Sequence, residues 1–145
     1  MSKRFTLAEA QRLIPRVEPL LRDAIAFKAE YEEGDKAFDG IIQRVMMAGG
    51  MVVDSRPAEA AKKKRESAAE KLRAAIEEVQ EIGCVIKDLD IGLIDFPTQF
   101  RGAEVYLCWK LGEPRIEFWH GVDEGFRGRK RIDQEFRDHH RGDRA

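Results

Sequence analysis

The sequence predicts an α+β protein: a long antiparallel helical hairpin of coiled-coil type, then a small antiparallel β-sheet of about four strands packed on the N-terminal end of helix 1. Three observations predict it. Residues 6–82 carry long heptad seams with few glycines or prolines. Residues 83–126 become rich in glycine, aromatic and β-branched residues. Residues 127–145 are polar and charged. The expected organisation is one domain over 1–132, with the hairpin at 6–82, the sheet at 84–120, a loop at 121–132 and a flexible polar tail at 133–145.

The first helix begins at Thr6-Leu7-Ala8-Glu9, a capping box in which hydroxyl and carboxylate each accept the other's backbone N–H. A seam then runs through Leu13, Val17, Leu20, Ala24, Phe27, Tyr31, Gly34, Phe38, Ile41, Val45 and Ala48. Pro15 and Pro19 each remove an i→i−4 bond and predict a kink or break. Gly49-Gly50 ends the helix, Pro57 suits the first turn of the next, and Gly83 stops that one. The second seam is Ala58, Ala61, Arg65, Ala68, Leu72, Ala75, Val79 and Ile82. Facing large against small residues predicts Tyr31 on Ala75, Gly34 on Leu72 and Phe38 on Ala68. A slip of one heptad, which puts Arg65 on Gly34, is disfavoured on this count. The longer first helix overhangs its partner, so Leu13, Ile14, Val17, Leu20 and Leu21 need the sheet as a cover.

Segments 84–88, 92–96, 104–110 and 115–120 read as strands. A tight turn at Leu111-Gly112-Glu113-Pro114 pairs Lys110 with Arg115. One face then carries Val105, Leu107, Trp109, Ile116, Phe118 and His120 towards the core. The other carries Glu104, Tyr106, Cys108, Lys110, Arg115, Glu117 and Trp119, with Tyr106 opposite Trp119 and Cys108 opposite Glu117.

Composition narrows the function classes. The 145 residues suffice for one core, and 43% are hydrophobic, which argues against general disorder. Charged residues make up 37% yet the net charge is −1, where a nucleic-acid binder shows a basic excess. No apolar run approaches the roughly 20 residues of a membrane span. Two cysteines make no disulfide framework, so a cytoplasmic protein is expected, with neither nucleic acid nor membrane as partner.

The candidate chemistry lies after Gly83. Asp88, Asp90 and Asp95 are close in sequence but lack the calcium-loop spacing, and a turn with Asp side chains on backbone N–H groups is the plainer reading. Cys84, Cys108 and His120 with an Asp lack zinc-type spacing, so neither metal nor cofactor is expected. The predicted faces separate Cys108 from His120. In Gly125–Arg131, Phe126 is expected to dock on the core with the arginines in water. The candidate binding surface is Lys87, Asp88, Asp95, Tyr106, Cys108, Glu117, Trp119, His120 and Arg129. Ile42, Met46, Met47 and Met51 at the hairpin tip form an apolar patch of the kind that marks an oligomer contact.

Phe5–Ala10, Gly83–Pro97, Gly102, Val105–Lys110, Gly112-Glu113, Trp119-His120, Gly125-Phe126 and Arg129 together resemble an uncharacterised bacterial family, the domain of unknown function 2203, over residues 5–132. The resemblance implies a small cytoplasmic bacterial protein of helical-hairpin-plus-sheet type and brings no catalytic residues. The expected function is a non-enzymatic interaction or oligomerisation module, a homodimer with a protein or peptide partner. The alternative is a small-molecule or metal site around Asp88, Asp95 and His120.

Overall fold

The structure, a computed structural model, describes residues 3–50 and 54–143. The chain divides into two compact units, Met1–Arg22 with Ile76–Ala145, and Asp23–Ala75. Helix α1 (Leu7–Met47) runs through both, and α2 (Arg56–Ile82) follows it. The class is α+β, as the periodicity predicts.

The capping box forms as expected. The Thr6 N–H donates to Glu9 Oε1 at 2.9 Å and the Glu9 N–H to Thr6 Oγ1 at 3.1 Å. The helix passes unbroken through Pro15 and Pro19. Both prolines are exposed, so the carbonyls they leave unpaired lie on the solvent side. At the other end Gly49 and Gly50 take φ of +78° and +82°, and the Gly50 N–H closes on the Val45 carbonyl at 2.9 Å. This left-handed ending is open to glycine at little cost.

Within the second unit the hairpin adopts the register that the large-on-small argument disfavoured. Arg65 stands against Gly34: a Cβ built on Gly34 would lie 3.0 Å from the Arg65 backbone nitrogen and 3.2 Å from its Cα. The Arg65 guanidinium reaches Asp35 at 3.1 Å and lies 4.7 Å from the Phe38 ring centroid. Lys64 pairs with Glu33 at 3.3 Å, and Lys71 lies over Phe27. The pairing of Gly34 with Leu72 is therefore corrected by one heptad. An arginine on a seam looks like a penalty, but a bare Cα opposite admits its backbone. The long side chain then leaves sideways to a carboxylate and a ring face.

The same geometry separates two helical glycines. Gly40 has nothing within 4 Å of a built Cβ. Gly40→Ala is expected to stabilise the hairpin by about 0.5–1 kcal/mol through helix propensity alone. Gly34→Ala makes the same propensity gain but must push Arg65 backbone aside, so its thermal midpoint should fall clearly below that of Gly40→Ala. Equal midpoints in a melting experiment would rule out the close approach.

The first unit holds the sheet and the large core. Its strands are β1 (Val85–Asp88), β2 (Leu93–Phe100), β3 (Ala103–Lys110), β4 (Phe118–Gly121), β5 (Lys130–Arg131) and β6 (His140–Arg141), with a short helix α3 (Gln134–His139) before the last. The order is β1-β2-β3-β4-β5, all antiparallel, and β6 also pairs with β2. One edge of β2 is thus shared: β1 covers Leu93–Asp95 and β6 covers Gln99–Phe100. Pro97 falls in the gap, where its missing N–H costs no ladder bond, and its carbonyl accepts from the Phe5 N–H at 2.7 Å. Ile14, Val17 and Leu21 of α1 pack with Val79, Ile82, Ile94, Phe96, Leu107 and Trp109 in one core. The sheet therefore covers the N-terminal part of α1 as the overhang predicts.

Two expectations fail in this unit. The β3–β4 pairing is Tyr106 with His120, Leu107 with Trp119 and Cys108 with Phe118, one residue away from the expected register. The expected four-residue turn is a longer connection, because Ile116 turns from β3 to α1, where its N–H donates to Gln11 Oε1 at 2.8 Å. Glu113 holds the turn: its carbonyl accepts from Trp109 Nε1 at 3.1 Å and its carboxylate from the Lys110 N–H at 2.7 Å. The residues expected to form a flexible tail are built into the fold as far as Asp143. Asp133 caps α3 by accepting from the Phe136 N–H, and Phe136 is fully buried. It stacks on Phe100 and packs tilted against Trp119, each with its centroid at 4.9 Å, and His140 accepts the otherwise unpaired Leu7 N–H of α1.

Candidate functional site

The register shift reassigns the faces. His120, placed in advance on the core face, lies on the opposite one with Tyr106, Cys108 and Phe118, and Trp119 turns towards the core instead. The expected surface bearing both Tyr106 and Trp119 does not exist. Phe118, expected in the core, is half-buried beneath arginine side chains.

Three candidate residues meet. Asp95 of β2, Cys108 of β3 and His120 of β4 bring one donor atom each within 4.8 Å of one another. Asp95 and Cys108 are directly paired across the strands, and His120 stands opposite Tyr106, two residues along β4 from Phe118, the partner of Cys108. His120 Nε2 and Asp95 Oδ2 are 2.9 Å apart, with side-chain exposures of 5% and 0%. The two side chains reach each other diagonally across β3, where Asp95 faces Cys108 and His120 faces Tyr106. The expectation that opposite faces keep Cys108 from His120 is corrected.

The hydrogen bonds at His120 constrain its proton. Nδ1 lies 2.8 Å from the Gly121 carbonyl, which can only accept, so Nδ1 carries a hydrogen. The lone pair of a neutral ring then points at the Asp95 carboxylate. Two acceptors at 2.9 Å need a positive centre between them, a proton or a cation. Asp95 Oδ1 is also buried and without a hydrogen-bond partner. The Cys108 thiol is pushed up to about 12 by burial and then by the Asp95 charge, against which nearby Arg129 works.

Arg129 borders the trio. Its guanidinium lies 4.1 Å from the Phe118 centroid and 4.3 Å from that of Phe126, and Nη1 donates to Glu113 at 3.0 Å and lies 4.0 Å from Cys108 Sγ. Burial works against its charge, but Glu113 and Cys108 outweigh that and hold its pKa above the usual arginine value. Phe126 is 41% exposed and stacks on this arginine rather than docking on the core as expected.

Tyr106 borders the trio too, its ring centroid 5.5 Å from that of His120, while the remaining candidates stay apart from it. Asp88 is exposed and accepts from the Asp90 N–H at 3.0 Å, the turn role that its spacing suggests. Lys87 is exposed above the Tyr106 ring. Burial, then the charges of Glu104 and Asp95, raise the Tyr106 phenol. Glu117 pairs with Arg131 rather than standing opposite Cys108. Cys84 is buried and donates to the Val79 carbonyl at 3.5 Å, with its thiol also pushed up to about 12 by burial. The signal for the trio is present in the sequence: β2 is buried from Leu93 to Thr98, and Asp95 is the one charge in it. A carboxylate in a strand covered on both faces demands a partner.

The family described as an uncharacterized conserved protein, DUF2203, matches residues 3–132. The chain belongs to this family. The match takes in α1, α2, the sheet through β5 and all three members of the trio, and stops before α3. No curated protein and no solved structure matches the chain. No helix among the described residues is long and apolar enough to cross a membrane.

Proposed function

We propose that this protein is a non-enzymatic module of the bacterial cytoplasm that assembles with a second copy of itself through its helical hairpin. One observation carries the reading. Among the described residues of Asp23–Ala75, the buried hydrophobic side chains are all alanines: Ala24, Ala61, Ala68 and Ala75. Every larger one, including Phe27, Phe38, Ile41, Val45 and Leu72, keeps part of its surface in water. Two helices with an alanine seam bury too little apolar area to be self-sufficient. A second hairpin laid against them supplies the missing layer, as in antiparallel four-helix assemblies.

The tip extends the same surface. Ile42 is 37% exposed, Met46 72% and Met47 89%. Met51, the fourth expected contact, lies outside the described residues. Ile14 and Leu21 are taken up by the core of the sheet unit and contribute nothing to this surface. Two free buried cysteines support a reducing compartment.

Sedimentation equilibrium over a range of concentrations tests the reading. The full chain is expected at twice the monomer mass. The Ile42→Lys/Met46→Lys variant should shift to the monomer with unchanged helical circular dichroism, because both side chains are exposed in one protomer. A wild-type chain that is monomeric throughout, or a variant that dimerises as well as wild type, overturns it.

A further inference from the structure

We propose that Asp95, Cys108 and His120 form a three-ligand site for a divalent transition-metal ion of the zinc class. The inference concerns the sheet and is independent of the assembly proposed above. Four observations carry it.

The first is convergence. One ligand comes from each of three adjacent strands, all on one face, with donor atoms within 4.8 Å of one another. Tetrahedral coordination at the usual zinc bond lengths sets donor separations of roughly 3.5 Å. Closing by about 1 Å is within reach of side-chain torsions alone.

The second is the orphan. Asp95 is fully buried, and its Oδ1 has no hydrogen-bond partner. A buried carboxylate oxygen with nothing to accept is costly, and a coordinated cation removes that cost. The third is the tautomer. Gly121 accepts from Nδ1 at 2.8 Å and leaves Nε2 facing the carboxylate. A backbone carbonyl on the far nitrogen is the arrangement that orients a metal-binding imidazole.

The fourth is charge and donor type. Arg129 is matched by Glu113 at 3.0 Å and also lies 4.0 Å from Cys108 Sγ, beside the trio. The Asp95 carboxylate supplies a negative charge for a cation, and the Cys108 sulfur would bind it as a thiolate, giving up its proton on binding. One S, one N and one O donor suit zinc or cobalt and disfavour magnesium and calcium, which take oxygen. Three protein ligands leave a fourth position open to water or another small donor. A site of this kind escapes spacing rules because its ligands are gathered by strand register rather than by a short motif.

The test uses the full chain, purified without chelator and then stripped. Added Co²⁺ is expected to produce a thiolate-to-cobalt charge-transfer band that saturates at about one equivalent per chain. The band should vanish in Cys108→Ser and persist in Cys84→Ser, the control for the other buried thiol. Zn²⁺ should compete the cobalt away and raise the thermal midpoint of the wild-type chain, and chelator should reverse the rise; this arm needs no variant to fold. Affinity in Cys108→Ser should fall by at least the roughly 10–100-fold that losing a mere outer partner costs. Absence of the band in the wild-type chain, its survival in Cys108→Ser, or a midpoint indifferent to Zn²⁺ overturns the proposal and leaves a proton as the positive centre between His120 and Asp95.

Discussion

Replacing Phe136 by alanine is expected to lower the unfolding free energy of the sheet unit by about 3–5 kcal/mol. The ring is fully buried and packs on Phe100 and Trp119 at 4.9 Å, with His140 at 5.3 Å. Removing it opens a cavity that three aromatic neighbours cannot fill by small adjustments. It also loosens what the segment carries. The Thr98 hydroxyl donates to the Arg141 carbonyl at 3.0 Å, and His140 accepts the Leu7 N–H at 2.9 Å. Against the total of about 5–15 kcal/mol typical of a folded domain, the loss is a large fraction. Urea unfolding followed by tryptophan fluorescence measures it, since Trp119 is in the affected cluster. Deleting residues 133–145 should cost at least as much. A solvated tail could be deleted without effect, and a loss below about 1 kcal/mol for Phe136→Ala would restore that reading.

His120→Ala, measured with chelator present, is the second large effect, at about 3–5 kcal/mol. Most of it is expected to come from the partner left behind. Asp95 is fully buried and its Oδ2 has His120 Nε2 at 2.9 Å. Without the imidazole the carboxylate keeps its burial and loses its bond. Breaking a buried pair on one side costs more than removing both sides, because an isolated buried charge is dearer than an apolar replacement. The double variant Asp95→Val/His120→Ala should therefore recover part of the loss, and the cycle of wild type, the two single variants and the double should show a coupling energy of about 1 kcal/mol or more. Additive single effects would mean that the two side chains do not act as a pair.

The parts of this fold legible in the sequence are those decided within a few residues. Thr6 and Glu9 cap α1 as their spacing predicts, because both partners of each bond lie in one turn. Gly49 and Gly50 end it because the left-handed backbone there is a local preference. Asp88 holds its turn for the same reason. The core residues Val17, Leu21, Leu107 and Trp109 were legible too, since burial follows the period of the element that carries them.

The candidate site was legible as a list and illegible as an arrangement. Asp95, Cys108, His120 and Arg129 stand out by residue type. Which of them meet depends on one residue of strand register, and the connection before β4 is held from outside the sheet, by Gln11 of α1 taking the Ile116 N–H. The pairing partner is roughly a hundred positions away in the chain, and nothing in the strand's own alternation refers to it. Trp119 was lost from the surface, and His120 gained by the trio, through that single shift.

What the sequence determined by itself is the kind and order of the main elements, the α+β class and the positions of the main caps and breaks. The tertiary structure alone decided three things: the hairpin register, with Gly34 admitting Arg65; the faces of β4, through its register on β3; and the order of the C-terminal segment, with Phe136 in the core. The physical reason is common to all three. A heptad seam reads the same after a slip of seven, and an alternating strand carries no mark of its partner. Only a contact between residues distant in the chain gives one of these equivalent arrangements the lower free energy.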